Sequence, residues 1–173
     1  FPSMSKEFQF DQNSIDFVRR NLTNKLKFRL LLKAILPMGY RSKMYISEMN
    51  EEMCAVKVPF NKRNSNPFKS TFWAVQGMAA EMSSGALLIL YTQKQPESIA
   101  MLVMDMHANF VKKAADVSTF VCKDGLKIRA AIKETIETGA PVLIDCKMIG
   151  ENEKGEVVSN FSFTWSVKCR AQK

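Results

Sequence analysis

Two hydrophobic periods divide this chain. Near the amino terminus Phe28, Leu31, Leu32 and Ile35 recur at i, i+3, i+4 and i+7, with Lys25, Arg29 and Lys33 off the stripe. Such spacing predicts an amphipathic helix whose apolar side faces the core and whose lysines and arginines are solvated. The helical region is expected to begin near Asn13 or Ser14, either of which can cap free N–H groups. It should kink around residues 21–24 and end before Pro37 and Gly39. Next, KMYISEMNEEMCAVKVP holds two short alternating runs around Asn50, Glu51 and Glu52, which reads as a hairpin closed by Pro59. The loop NKRNSN leads to Pro67, and Asn66 and Ser70 are candidate caps for a long apolar helix that reaches Leu88.

From Ala100 the period becomes two. In MLVMDMHANF the positions Leu102, Met104, Met106, Ala108 and Phe110 are apolar while Asp105, His107 and Asn109 take the other side, the pattern of a half-buried strand. DVSTFVC supplies another strand. Residues 126–138 carry Ile128, Ala131, Ile132, Thr135 and Ile136 at helical spacing between Gly125 and Gly139, which predicts a surface helix. Residues 141–150 and 157–169 form a final pair joined by ENEKG. In the last run Phe161, Phe163, Trp165, Val167 and Cys169 point one way, and Asn160, Ser162, Thr164, Ser166 and Lys168 the other. An antiparallel sheet with one buried face, plus one unusually apolar helix, is an α+β arrangement with the helix packed across the sheet.

Inside that apolar helix stands Glu81. A carboxylate is rarely buried without a partner, because removing its water costs several kcal/mol. At 100° per residue Ala74, Gly77 and Ser84 fall on its side of the helix and all are small. Phe72, Val75, Met78, Ala79, Met82 and Leu87 occupy faces that a sheet can cover, and Phe72 and Trp73 read more readily as core than as a ligand platform. Glu81 therefore has two readings: a structural carboxylate that accepts hydrogen bonds and holds a helix or dimer contact, or a general base beside a groove with its pKa set by low-dielectric surroundings.

Composition narrows the field. At 173 residues the chain is long enough for one domain with its own core, and 46% hydrophobic content with few Gly and Pro argues against disorder. We read residues 1–173 as one domain, with a helical region 1–40 and a core 41–170. The apolar tracts are too short for a membrane span, and FPSMSKEFQFDQNS has no apolar leader core, so a cytoplasmic protein is expected. Net charge is +8, most of it before residue 44. A basic face of this kind can meet nucleic acid, anionic lipid or a phosphorylated ligand, but solvated side chains beside a core stripe are its ordinary meaning. Nucleic acid and membrane are therefore not expected partners. Cys54, Cys122, Cys146 and Cys169 show no paired-ligand spacing and read as small core residues, so no metal is expected. His107 is the only histidine and faces the polar side of its strand, which leaves a His-dependent triad without support, and the absence of a G-x-S-x-G elbow weakens a serine-hydrolase reading.

The order of elements resembles the hotdog-fold, thioesterase-like superfamily, in one of its less characterised branches. The resemblance is carried by VPFNKRNSNPF, TFWAVQGMAAEMSSGALL, MHANFVKKA and MIGENEKGEVVSNFSFTWSV, and spans roughly residues 28–169. It implies an antiparallel sheet of about five to six strands wrapped around the long helix, with the helix 126–138 an insertion. It further implies a homodimer, possibly a tetramer, whose subunit boundary forms a tunnel for an acyl thioester. On this likeness Glu81 is the catalytic residue, and backbone N–H groups around Ser70, Thr71 and Phe72 polarise the thioester carbonyl. Asn66 holds the loop or touches substrate, and Gly77 and Ser84 border it. Lys112 and Lys113, with Lys69, suit the phosphates of coenzyme A, which enters as part of the substrate; no separate cofactor is implied. The chain departs from the likeness at Ser70-Thr71-Phe72-Trp73, where well-known hydrolases of the superfamily have a His-Gly-Gly-like start to the helix. Hydrolysis of an acyl-CoA thioester therefore stands beside a non-catalytic acyl- or lipid-binding reading, and beside a basic surface for nucleic acid or membrane.

Overall fold

The computed structural model describes residues 7–170. Residues 1–6, part of the opening stretch read for a leader, lie outside the described residues, as do 171–173. The amino-terminal region is three helices, α1 (Gln12–Thr23), α2 (Lys25–Ile35) and α3 (Pro37–Ser42). The first cap is Asp11 instead of Asn13 or Ser14, its carboxylate accepting from the Asn13 N–H and the Ser14 hydroxyl. The break falls at Asn24, whose side chain accepts from the Lys27 N–H and so starts α2. Pro37 does not end the helical region; it opens α3, because a first-turn residue has no intrahelical acceptor for its N–H and proline loses nothing there. Of the predicted core stripe, Phe28 and Leu32 are buried while Leu31 and Ile35 are exposed. Only a narrow edge of α2 meets the core.

The rest follows the strand and helix patterns closely: β1 (Tyr45–Met49), β2 (Cys54–Val58), α4 (Trp73–Thr92), β3 (Ile99–Phe110), β4 (Ser118–Cys122), α5 (Gly125–Thr138), β5 (Val142–Glu151) and β6 (Val157–Cys169). The six strands form one antiparallel sheet in the order β1-β2-β4-β5-β6-β3. It wraps around α4, which touches β2, β4, β5 and β6. Ala79, Ala80, Ala86, Leu87, Leu88 and Leu90 of α4 are fully enclosed by it. The insertion helix α5 packs on α4, β5 and β6. Its first residue, Gly125, is a glycine because a Cβ there would collide with the backbone carbonyls of Glu51 and Glu52.

β3 departs from its simple alternation. A bulge at Met104 separates the pair Val103↔Trp165 from Asp105↔Thr164. Met101 and Val103 therefore share the inner face with Val167 and Trp165, and beyond the bulge Met106 and Ala108 share it with Phe163 and Phe161. Leu102, expected on the same face as Met106, lies opposite Ser166 on the outer one, since one extra residue inverts every later side chain. Nor is the strand half-buried: Leu102, Met104, Met106 and Phe110 are all exposed. β3 is a long edge strand lying beyond the cover of α4.

Candidate functional site

Helix α4 has one face that the sheet leaves partly open. Ala74, Gly77, Met78, Glu81, Met82, Gly85 and Ile89 are half-buried along it, whereas the helix residues of the opposite face are enclosed. Glu81 sits in the middle of this strip. Among the described residues its carboxylate has no hydrogen-bond or ion-pair partner, and burial alone pushes its pKa above the usual carboxylate range. The predicted neighbours Ala74 and Gly77 are where helical geometry put them. Ser84 is in the core instead: its hydroxyl donates to the Glu81 carbonyl (3.0 Å) and accepts from the Trp165 indole N–H (2.9 Å). Gly85 takes the open position, facing the edge of Trp165. Gly77 faces the Phe161 ring, which in turn meets Phe110 edge to face with centroids 5.7 Å apart.

At the start of α4 a cavity of about 340 Å³ is lined by residues far apart in sequence, among them Asn66, Ser70, Thr71, Lys112 and Lys113. Five of the nine predicted site residues thus meet in one place; Phe72, Gly77, Glu81 and Ser84 are not among them. The connection is the Thr71 N–H, which donates to the Ala114 carbonyl (2.8 Å) and ties the pre-helix loop to the end of β3. Asn66 does not cap α4. Its Oδ1 accepts from the N–H groups of Phe68 and Ser70 and from the Ser70 hydroxyl, closing its own turn. Ser70 does not cap it either; the cap position is Phe72, with no side-chain hydrogen bond to the helix.

The expected polarising N–H groups are spoken for. Ser70 donates to Asn66, Thr71 to Ala114 and Phe72 to the Asn64 carbonyl (2.7 Å), which leaves Trp73 and Ala74 as the first-turn donors with no acceptor among the described residues. Phe72 and Trp73 are exposed, not core, because the helix start projects past the sheet. Lys112 is paired with Glu156 at 2.6 Å, which also holds that carboxylate below its ordinary pKa. Lys113 is exposed, and Lys69 lies outside the cavity.

Four features escaped the pattern. Gln76 is buried and bridges the loop to the sheet: its amide N–H donates to the Thr71 carbonyl (3.0 Å) and its oxygen accepts from Ser159 (2.7 Å). A glutamine in so apolar a helix was a signal of the same kind as Glu81. The Thr71 hydroxyl is buried in the cavity wall without a partner among the described residues. A second cavity, of about 510 Å³, lies between α3 and α4 and includes Arg41, Arg63, Val75 and Met78. Cys122 and Cys146, strands apart in sequence, come together with Asp124 so that their ligand atoms lie within 4.8 Å. Asp124 is already engaged by the Lys147 N–H at 2.9 Å. A hydrogen bond to Cys122, then burial, pushes the Cys146 thiol well up.

The family model described as "Domain of unknown function (DUF4442)" matches residues 25–167. A comparison with curated proteins finds no match. Among solved structures the chain is similar to a Pseudomonas aeruginosa protein of unknown function described as a probable thioesterase: 18% identity, TM-score 0.70, 90% of this chain and 95% of that one. It is likewise similar to a Chlorobaculum tepidum protein of unknown function (14%, TM-score 0.72, 87% and 99%). A Haemophilus influenzae thioesterase matches at 15% identity and TM-score 0.63, over 86% and 93% of the two chains. The likeness is one of fold: a hotdog arrangement, an antiparallel sheet wrapped around a long helix.

Proposed function

Since this chain belongs to the family described as a domain of unknown function, DUF4442, and has a thioesterase-like hotdog fold, we propose that it binds and hydrolyses an acyl thioester, with Glu81 as general base. The observation that carries this reading is the half-buried Glu81 carboxylate, unpartnered among the described residues and centred on the open strip of α4. Ionised, it takes a proton from a water molecule as the water oxygen attacks the thioester carbonyl. Collapse of the tetrahedral intermediate breaks the C–S bond, and the proton passes from Glu81 to the leaving thiolate.

Helix geometry also bears on the partner. The free N–H groups of Trp73 and Ala74 suit a developing oxyanion. They lie seven to eight residues before Glu81, roughly 10–12 Å along the axis at 1.5 Å per residue. One chain cannot place both at a single carbonyl. Two chains can, if their α4 helices run antiparallel across a two-fold axis near Gly77, the residue midway between Trp73 and Glu81. Gly77 has no side chain to hold the helices apart, and the exposed β3 edge offers unpaired backbone groups to a second copy. In this homodimer the cavity at Ser70, Thr71, Lys112 and Lys113 receives the coenzyme A part of the substrate, with the free Thr71 hydroxyl as a donor.

A non-catalytic acyl-binding reading is favoured by one observation, the bulky Phe72 and Trp73 exposed at the helix start. Hydrolysis of short, long and aromatic acyl-CoA thioesters, followed with a free-thiol reagent, separates the two. We expect turnover that falls about a hundredfold or more in Glu81→Gln, as loss of a general base requires. Binding of acyl-CoA without turnover in either form would leave the acyl-binding reading.

A further inference from the structure

The outward side of α2 is apolar where a surface helix is ordinarily polar. Its buried residues Phe28 and Leu32 mark the core direction. Leu26 and Leu30 project about 180° away from it at 100° per residue, and are 67% and 57% exposed. Ile35 and Met38 are also exposed, but on other sides: Ile35 lies within about 40° of the core direction at 100° per residue, and Met38 borders the cavity between α3 and α4. Lys27 and Lys33 flank the Leu26–Leu30 strip on either side. The surrounding charge is of one sign: from Phe17 to Met44 the chain has eight Lys or Arg and no Asp or Glu. Of these eight, among the described residues only Arg19 is in an ion pair, with Asp16.

We propose that the outward face of α2 docks on an anionic lipid surface, Leu26 and Leu30 entering the headgroup boundary and the lysines and arginines around them meeting acidic headgroups. A core-packed helix has no need of leucines on its solvent side, and here two of them, Leu26 and Leu30, stand between lysines. An apolar ridge flanked by unpaired cations is the composition of a helix that lies in a membrane interface. Charge complementarity selects an anionic surface, since long basic side chains can extend to the headgroups while their stems cover apolar area. This inference stands on α2 and does not depend on the thioester reading. The i, i+3, i+4, i+7 stripe through Phe28, Leu31, Leu32 and Ile35 does not include Leu26 and Leu30, whose exposure depends on which edge of α2 meets the core.

Co-sedimentation of the whole protein with liposomes tests this, comparing vesicles of phosphatidylcholine alone with vesicles containing about one-third phosphatidylserine. We expect binding to the anionic vesicles at least about tenfold tighter, lost as salt is raised from about 0.1 M to about 1 M, which shortens the screening length from ~10 Å to ~3 Å. Leu26→Ser/Leu30→Ser and, separately, Lys27→Gln/Lys33→Gln should each weaken binding severalfold or more, with circular dichroism and thermal melting unchanged because all four side chains are exposed. Absence of wild-type binding to anionic vesicles overturns the proposal, as does equal binding to both compositions. It is also overturned if sedimentation velocity shows Leu26→Ser/Leu30→Ser dissolving an assembly that the wild type forms, since a second copy then covers the face.

Discussion

β6 and β3 lie side by side, paired from Ile99↔Cys169 to Phe110↔Ser159, and both alternate apolar with polar residues. Yet Phe161, Phe163, Trp165 and Val167 of β6 are buried, while Met106 and Phe110 of β3 are exposed on the same inner face. The difference lies in what stands opposite. α4 passes over β6 and stops short of β3, so identical patterning gives a core on one strand and an uncovered apolar edge on the next. Alternation records which side of a strand is apolar; only the neighbouring element decides whether that side meets a helix or another molecule.

Four substitutions test this contrast. Trp165→Ala on β6 should cost about 3–5 kcal/mol in chemical denaturation, since it opens a cavity under α4 and strips Ser84 of its indole donor. Phe110→Ala on β3 should cost the isolated chain under about 1 kcal/mol, as for an exposed position; a loss as large as that of Trp165 would show that β3 is not a free edge. Gly77→Leu should abolish the dimer in sedimentation equilibrium, and turnover with it. Circular dichroism is the control for a folded monomer, since a Cβ there already meets Phe161 at 3.6 Å and the rest of a leucine must find room beside that ring. A dimeric, active Gly77→Leu would remove the proposed crossing point.

The smallest effect concerns Glu81. Burial raises its folded pKa above the unfolded value, so the neutral form is the one the fold favours. The stability associated with it is present below the unfolded pKa and is lost as pH rises through the folded pKa. Glu81→Gln should therefore melt slightly higher than wild type near pH 7, and the difference should vanish below about pH 4, where an ordinary glutamate is protonated in both states. The rate of hydrolysis should rise with pH through the same elevated pKa. A rate limb in the ordinary carboxylate range would mean that Glu81 is not the base.

Much of this was legible from residues alone. The hairpin, the long helix, the insertion helix and the final strand pair follow from local period and from Gly, Asn and Pro punctuation, which act through neighbours in sequence. The strip around Glu81 was legible for Ala74 and Gly77, because helical spacing is a local rule. It failed at Ser84, where a hydroxyl able to satisfy the Trp165 indole was drawn inward and Gly85 was left at the opening. The meeting of Asn66 and Thr71 with Lys112 and Lys113 was expected only through family resemblance, since a single backbone hydrogen bond from Thr71 to Ala114 makes it.

The sequence by itself determined the elements, their periods, the lone carboxylate in an apolar helix and the one-sided basic charge of the amino-terminal region, because each is a property of residues a few positions apart. Only the tertiary structure decided that β3 changes face at a bulge, that Ser84 is core, that Phe72 and Trp73 are exposed and that Leu26 and Leu30 have no protein to cover them. Burial is a relation between distant segments, set by how far α4 reaches across a curved sheet and how narrow an edge of α2 meets it, and no local pattern encodes that reach.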